Sequence, residues 1–181
     1  MPKRCGHLDG KDVVDTATMV KRVKAAADAK RDANFVLIAR SDARAVEGLD
    51  KAIDRMKAYV DAGADMIFPE AMKDEKEFEA VRKALSVPML ANMTEFGKSR
   101  LLSKKELESL GFNLVIYPVT TLRLAMFAAE KGLDAILKDG DQNGVLDIMQ
   151  HRRDLYDLLR YHDYNQYDQS LYNFQIGDTP R

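Results

Sequence analysis

The feature that most constrains the fold is an alternation of short apolar runs with longer amphipathic segments along the chain. The runs occupy residues 35–39, 66–69, 88–91 and 114–117. Each run is of strand length and is bounded by turn or polar residues, which is typical of parallel strands buried on both faces. Amphipathic segments between such strands predict right-handed strand–helix crossovers around a parallel sheet.

The amphipathic segments are predicted to be helices. One helix is expected over residues 15–29, and another starts at Leu49, where apolar residues recur at steps of three and four. Gly63 is placed to end that second helix. Ser103 and Glu106 have the spacing of a capping box, in which each side chain bonds a free backbone N–H of the first turn.

The pattern changes beyond the fourth run. We expect a helix over residues 121–138, a polar loop over 139–144 and a further helix over 145–161. The tail, residues 161–181, has no clear period. It is predicted to be either a covering arm or partly disordered.

The fold class is therefore predicted to be α/β. About four parallel strands make up the C-terminal half of a TIM-type (β/α)8 barrel, and extra C-terminal helices follow them. The predicted division assigns residues 1–138 to the partial barrel and 139–181 to the C-terminal helix and tail.

Polar side chains follow the predicted strands at the positions where TIM barrels carry their chemistry. Arg40 can grip a carboxylate with two parallel hydrogen bonds, or form a rim salt bridge with Asp42. Glu70 can act as a base, as the partner of a metal-bound water or as a hydroxyl acceptor, or simply stabilise a helix N-terminus. Asn92 and Thr94 can donate to a carboxylate or cap a turn.

Composition narrows the function classes. The 28 Lys+Arg and 29 Asp+Glu residues give a formal net charge of -1, so no basic field for nucleic acid is present. The apolar runs are too short to cross a bilayer, so no membrane partner is expected. A single Cys excludes an internal disulfide and fits a reducing compartment, and we expect a cytoplasmic protein.

The sharpest local motif is Lys-Arg-Cys-Gly-His at residues 3–7. Cationic neighbours favour the thiolate of Cys5 and lower the pKa of a thiol, and Gly6 allows close backbone approach to a ligand. The alternative is an inert, buried Cys, which is the common state of a lone Cys in a protein core.

These residues resemble the 2-methylisocitrate lyases of the isocitrate lyase and phosphoenolpyruvate mutase superfamily. Similar segments occur in the family's order through most of the chain. They are residues 3–7, 37–43, 64–71, 90–97, 117–118 with Arg123, and 149–152. One such segment is a weak match, but the ordered set is specific.

The resemblance implies a Mg2+-dependent (β/α)8 lyase that assembles as a homotetramer, exchanges a C-terminal helix between subunits and acts on a small tricarboxylate. Cys5 would be the catalytic acid, and we expect it at the carboxyl edge of the sheet near Arg40, Glu70 and Asn92. The residues that match substrate-binding positions are Gly6, His7, Arg40, Glu70, Asn92, Thr94, Arg123 and Arg152.

The chain departs from the family pattern upstream of Cys5, where relatives have strands one to four and the acidic residues that hold Mg2+. No metal ligand is therefore predicted here, and the chain alone is expected to show little or no activity. The implied reaction cleaves 2-methylisocitrate to pyruvate and succinate through a Mg2+-stabilised enolate. Two alternatives stay open: an enzyme of the phosphoenolpyruvate mutase or oxaloacetate hydrolase type, and a non-catalytic assembly fragment.

Overall fold

The computed structural model describes residues 10–172, which form an α/β arrangement containing four strands and eight α-helices. Strands β1 to β4 are Ile38–Ser41, Met66–Pro69, Leu90–Asn92 and Leu114–Ile116. Helices α1 to α8 are Thr16–Asp28, Arg44–Glu47, Leu49–Asp61, Glu75–Ala84, Lys104–Ser109, Thr120–Asp139, Arg152–Leu158 and Tyr161–Tyr172. None of these helices is both long and apolar enough to cross a membrane.

The strands are parallel and lie side by side in chain order. β1 pairs with β2, and β3 pairs with β4. A parallel bridge between Ile67 and Met89 joins the two pairs, and the Ile67 N–H donates to the carbonyl of Pro88 at 3.1 Å. Helical crossovers connect successive strands, so the carboxyl ends of all four strands meet at one edge.

Helices cover one face of these strands. The core cluster contains alternate strand residues, such as Ile67 and Ala91, together with Met56 of α3 and Phe78 of α4. The prediction of burial on both faces is wrong for the outer strands, because Ile38 is 39% exposed and Leu114 is 43% exposed.

The predicted start of the first strand is also wrong. Phe35 and Val36 are exposed and precede β1, which begins at Ile38. Asp65 accepts the N–H of Leu37 at 2.7 Å, so pairing with the next strand begins only after that point. The third strand likewise starts later than predicted, at Leu90–Asn92 instead of residue 88. An apolar run does not specify where pairing starts.

Several local predictions are confirmed. The Ser103 hydroxyl accepts the N–H of Glu106 at 3.2 Å, and the Glu106 carboxylate accepts the N–H of Ser103 at 2.6 Å, which completes the capping box. Asp15 caps α1 by accepting the N–H of Thr18 at 2.7 Å. Gly63 follows α3 with φ +107°, a value that L side chains rarely adopt.

The C-terminal helices differ from the prediction of one helix over residues 145–161. Asn143–Ile148 is a 3-10 helix, and α7 begins afresh because the His151 ring nitrogen accepts the N–H of Arg153. Arg160 then has φ +52° and separates α7 from α8. The tail, predicted to be either a covering arm or partly disordered, is helical over Tyr161–Tyr172.

The chain forms two compact units, Met1–Arg123 and Leu124–Arg181, which divide inside α6. Helix α6 itself matches the predicted helix over 121–138. The assignment of residues 1–138 to barrel strands five to eight, and the exchange of 139–181 between subunits, stay predictions.

Candidate functional site

The centre of the candidate site is Glu70, a fully buried carboxylate that directly follows β2. Arg40 of β1 donates from Nη2 to Glu70 Oε2 at 2.9 Å. Asn92 of β3 donates from Nδ2 to the two Glu70 oxygens at 3.3 and 3.4 Å. Three predicted site residues, at the ends of three adjacent strands, therefore meet at the carboxyl edge of the sheet.

The amide of Asn92 has a defined orientation. A carboxylate only accepts hydrogen bonds, so Nδ2 must face Glu70 and Oδ1 must point away. The structure gives this buried Oδ1 no hydrogen-bond partner within residues 10–172. A buried acceptor of this kind is costly unless a donor reaches it, and a ligand hydroxyl would supply one.

Arg40 forms the salt bridge with Asp42 that was considered from the sequence, and the binding of a substrate carboxylate stays a prediction. Its Nε and Nη2 donate to the two oxygens of Asp42 at 2.8 and 3.0 Å, in addition to the bond with Glu70. Its guanidinium also lies 4.9 Å from the ring centre of Phe68. The side chain remains 28% exposed, so a carboxylate ligand can still approach it.

A cavity of about 700 Å3 opens beside Arg40 and Asp42. This volume is in the range of small-molecule sites. The cationic side chains that line the cavity are those of Lys11, Arg22, Arg40 and Arg55. Asp12 and Asp42 line the cavity as well, so its cations outnumber its carboxylates by four to two, which favours an anionic ligand.

Arg55 fixes the segment that precedes α1, a role that sequence reasoning missed. This buried residue of α3 donates from Nη1 to the carbonyl of Val14 at 2.7 Å, and from Nε and Nη2 to Glu47 at 2.5 and 2.6 Å. The ion pair with Glu47 raises the pKa of Arg55, and the same hydrogen bonds lower the pKa of Glu47. No local pattern pairs these residues, since Val14 and Arg55 are far apart in sequence.

Arg123, predicted to bind substrate, belongs to a separate cluster. Its Nη1 donates to the Glu95 carboxylate at 2.7 Å and to the Glu95 carbonyl at 2.8 Å. The Thr120 hydroxyl also donates to Glu95, and these hydrogen bonds, led by that of Thr120, lower the pKa of the Glu95 carboxyl. Arg123 stacks 5.2 Å from the ring centre of Phe96, which is 94% exposed and has φ +57°.

The other predicted site residues stand as follows. Thr94 is half-buried in the loop after β3, next to Glu95. Arg152 is the first residue of α7 and is exposed, in the second unit. The remaining three, Cys5, Gly6 and His7, lie outside the described residues, as does the predicted approach of Cys5 to the strand ends.

A second feature missed from the sequence is a belt of contacts across three loops. Glu77 accepts from Arg44 Nε at 2.8 Å and from the N–H of Lys73 at 2.8 Å. The Arg100 N–H donates to the Lys73 carbonyl at 3.3 Å, and Arg100 Nη2 lies 2.8 Å from Glu75. We call Arg44, Lys73, Glu77 and Arg100 the loop belt. Burial acts to raise the pKa of Glu77, but Arg44 and the Lys73 N–H lower it overall.

The described residues do not fit a Mg2+ site. Magnesium requires several oxygen ligands in octahedral geometry. Residues 10–172 contain no group of three or more His, Cys, Asp or Glu side chains arranged to hold a metal ion. The best-placed carboxylate, Glu70, is already bonded to Arg40 and Asn92.

The family model described as phosphoenolpyruvate phosphomutase matches residues 4–137. The chain belongs to this family. It is 58% identical over 179 residues to a protein of Corynebacterium glutamicum named "Probable 2-methylisocitrate lyase 1", covering 98% of this chain and 59% of that relative. It is 52% identical over 160 residues to the 2-methylisocitrate lyase of Shewanella oneidensis, covering 88% of this chain and 55% of that relative. The chain thus spans less than two thirds of the length of these curated relatives.

Solved structures of the same superfamily share the fold, and these neighbours are TIM-barrel enzymes. An oxaloacetate acetylhydrolase in complex with 3,3-difluorooxalacetate has a TM-score of 0.83 at 33% identity, covering 93% of this chain and 57% of that chain. A 2,3-dimethylmalate lyase has a TM-score of 0.83 at 31% identity, covering 98% of this chain and 60% of that chain. A phosphonopyruvate hydrolase complex with oxalate and Mg++ shares the fold at a TM-score of 0.75 and 24% identity, covering 94% and 61%.

Proposed function

We propose that this chain supplies one half of the active site of a carbon–carbon lyase that cleaves 2-methylisocitrate to pyruvate and succinate. The observation that carries the proposal is the convergence of Arg40, Glu70 and Asn92 at the carboxyl edge of three parallel strands. In TIM barrels this edge holds the active site. The similarity to 2-methylisocitrate lyases supports this choice of substrate.

The chemistry of these residues suits a substrate with several carboxylates and one hydroxyl. Arg40 presents a planar guanidinium that forms two parallel hydrogen bonds to a carboxylate. Asn92 offers a buried acceptor, Oδ1, to a hydroxyl group. Glu70 holds both donors in place, so the site is organised before the ligand arrives.

The proposed reaction breaks the C2–C3 bond of the substrate. A base removes the proton of the C2 hydroxyl, C2 becomes the keto carbon of pyruvate, and the electron pair of the broken bond stays on C3. Cys5 gives its thiol proton to C3, which completes succinate, and the thiolate regains a proton as the base releases its own. General acid catalysis of this kind contributes about 10²–10⁴ in rate.

The half-barrel assignment belongs to the same proposal. Strands β1 to β4 would be strands five to eight of a barrel, and the partly exposed Ile38 and Leu114 would be covered by the remaining strands. The Mg2+ cofactor, with ligands outside this chain, the homotetramer and the cytoplasmic location stay predictions. We derive no step through the metal, because the described residues do not form its site.

The test combines this chain with the part of the Corynebacterium glutamicum relative that the chain does not cover, either fused upstream of Met1 or produced as a separate polypeptide. Pyruvate is measured by coupling to lactate dehydrogenase and succinate by mass spectrometry, with and without added Mg2+. We expect Mg2+-dependent cleavage of 2-methylisocitrate by the combination and little or none by the chain alone.

Oxaloacetate and phosphonopyruvate serve as competing substrates in the same assay. A folded combination that cleaves oxaloacetate to oxalate and acetate, and leaves 2-methylisocitrate intact, would replace the proposal with the alternative enzyme type. A folded combination with no activity on any of these acids would favour the non-catalytic assembly fragment. Robust cleavage by the chain alone would show that the metal site has been misplaced.

A further inference from the structure

Lys11 lies at the candidate site although no sequence motif pointed to it. The residue precedes α1, and its side chain is only 6% exposed. Its Nζ lies 3.9 Å from Asp42 Oδ1. Burying an ammonium group costs free energy unless a carboxylate lies close enough to compensate for the lost hydration. Asp42 is one such carboxylate beside Lys11.

Asp42 is shared between two cations. It accepts two hydrogen bonds from Arg40, the same guanidinium that also reaches Glu70. A substrate carboxylate that binds the Nε and Nη2 groups of Arg40 must compete with Asp42 for the same N–H donors. If Asp42 lost its bonds to Arg40 and had no other cation, its partly buried charge would resist the exchange.

Charges of both signs act on Lys11. Asp42 and Glu70 are its negative neighbours, and Arg40 is a positive one. Lys98 adds a further positive charge that acts on Lys11. Burial lowers the pKa of Lys11, while Asp42 and then Glu70 act to raise it. The lysine stem is long and flexible, so Nζ can close the 3.9 Å separation from Asp42 when Arg40 turns away.

We propose that Lys11 is a positioning residue that neutralises Asp42 and so frees Arg40 to bind a substrate carboxylate. The inference rests on the proposed function insofar as it takes a carboxylic acid as the ligand. It assigns Lys11 to ligand binding, and not to any transfer of protons.

Three variants separate this role from a structural one. Lys11→Met keeps most of the side-chain volume and removes the charge, so Asp42 should compete fully for Arg40 and weaken carboxylate binding about tenfold. Lys11→Arg keeps the charge and should bind nearly as the unmodified chain does. Adding Asp42→Asn to Lys11→Met removes the competitor and should restore most of the affinity. Lys21→Met, at an exposed lysine of α1, is the matched control.

Binding is measured on the full 181-residue chain with succinate as the probe, by following the Arg40 Nε–Hε signal in 15N NMR titrations. A purely structural role for Lys11 predicts weakened binding that Asp42→Asn does not rescue. That result would overturn the inference, as would an unchanged affinity in Lys11→Met or an Arg40 signal that does not respond to succinate.

The titration needs no turnover, so it is independent of the lyase assay. Suppose that the combined polypeptides do not cleave the substrate, while succinate binding depends on Lys11 and is rescued by Asp42→Asn. That pair of results would reject the proposed reaction and retain the role of Lys11. Cleavage together with succinate binding that does not depend on Lys11 would retain the reaction and reject the role of Lys11.

Discussion

Gly63→Ala is expected to destabilise the fold far more than Gly48→Ala, although both glycines have positive φ. An L residue at such a backbone position costs about 1–3 kcal/mol. At Gly63, with φ +107°, an added Cβ would also lie 2.7 Å from the Cβ of Ala27 in α1. At Gly48, with φ +89°, nothing lies within 4 Å of an added Cβ. Overpacking costs a further ~1–3 kcal/mol, so Gly63→Ala should cost roughly 2–6 kcal/mol in total.

The measurement is the free energy of unfolding in urea, followed by circular dichroism at one chain concentration for every variant. Ala27→Gly removes the Cβ that the added Cβ would meet. Gly63→Ala should therefore lower the free energy of unfolding less in an Ala27→Gly chain than in the unmodified chain. A double-mutant cycle of these two changes gives the energy of the Cβ–Cβ contact alone. It separates that energy from the destabilisation of α1 by a helical glycine, which is about 1 kcal/mol. Equal destabilisation by Gly63→Ala and Gly48→Ala would refute the close approach of α1 to the end of α3.

Three further predictions concern the site and the surface. Cys5→Ser in the combined polypeptides should lower kcat severely while leaving succinate affinity unchanged, because a hydroxyl is a much weaker acid than a thiol; near-normal turnover would mean that another group protonates C3. The combination should prefer 2-methylisocitrate to isocitrate in kcat/KM by a factor equivalent to about 1–3 kcal/mol for one methyl group, and equal values would contradict this. The N–H of Ser103, and then Arg100, lower the pKa of Glu106 to about 2, so its contribution to stability is present above the ordinary value of 4.5 and is lost as the pH falls toward 2. The difference in urea midpoint between the unmodified chain and Glu106→Gln should therefore shrink across that range, and a constant difference would argue against the capping-box ion pair.

Features encoded within a few residues could be predicted from the sequence. The capping box of Ser103 and Glu106 depends on a spacing of three residues, and it forms as expected. Helix α3 ends as predicted before Gly63, because the apolar period and the glycine coincide. The meeting of Arg40, Glu70 and Asn92 followed from placing each residue after a parallel strand, since such strand ends share one edge.

Features that depend on distant partners could not be predicted in this way. The apolar run from Phe35 is longer than the strand, and its start is set by contacts with Asp65 rather than by hydrophobicity. Lys11 sits in a polar, glycine-containing stretch that gives no sign of burial, yet tertiary packing places it against Asp42. The break at Arg160 is equally hidden, because a non-glycine residue with positive φ has no sequence signal.

The loop belt bears on how the loops at the carboxyl edge of these strands can change. Loops on a barrel are often regarded as modules that can be grafted singly onto a constant scaffold. Here Arg44 begins α2, in the connection after β1, and its partner Glu77 lies near the start of α4. Lys73 connects onward to Arg100 in the loop after β3. Transplanting one of these loops would remove the hydrogen bonds that join it to its neighbours. The three loops should therefore be exchanged together, in evolution and in engineering, and not one at a time.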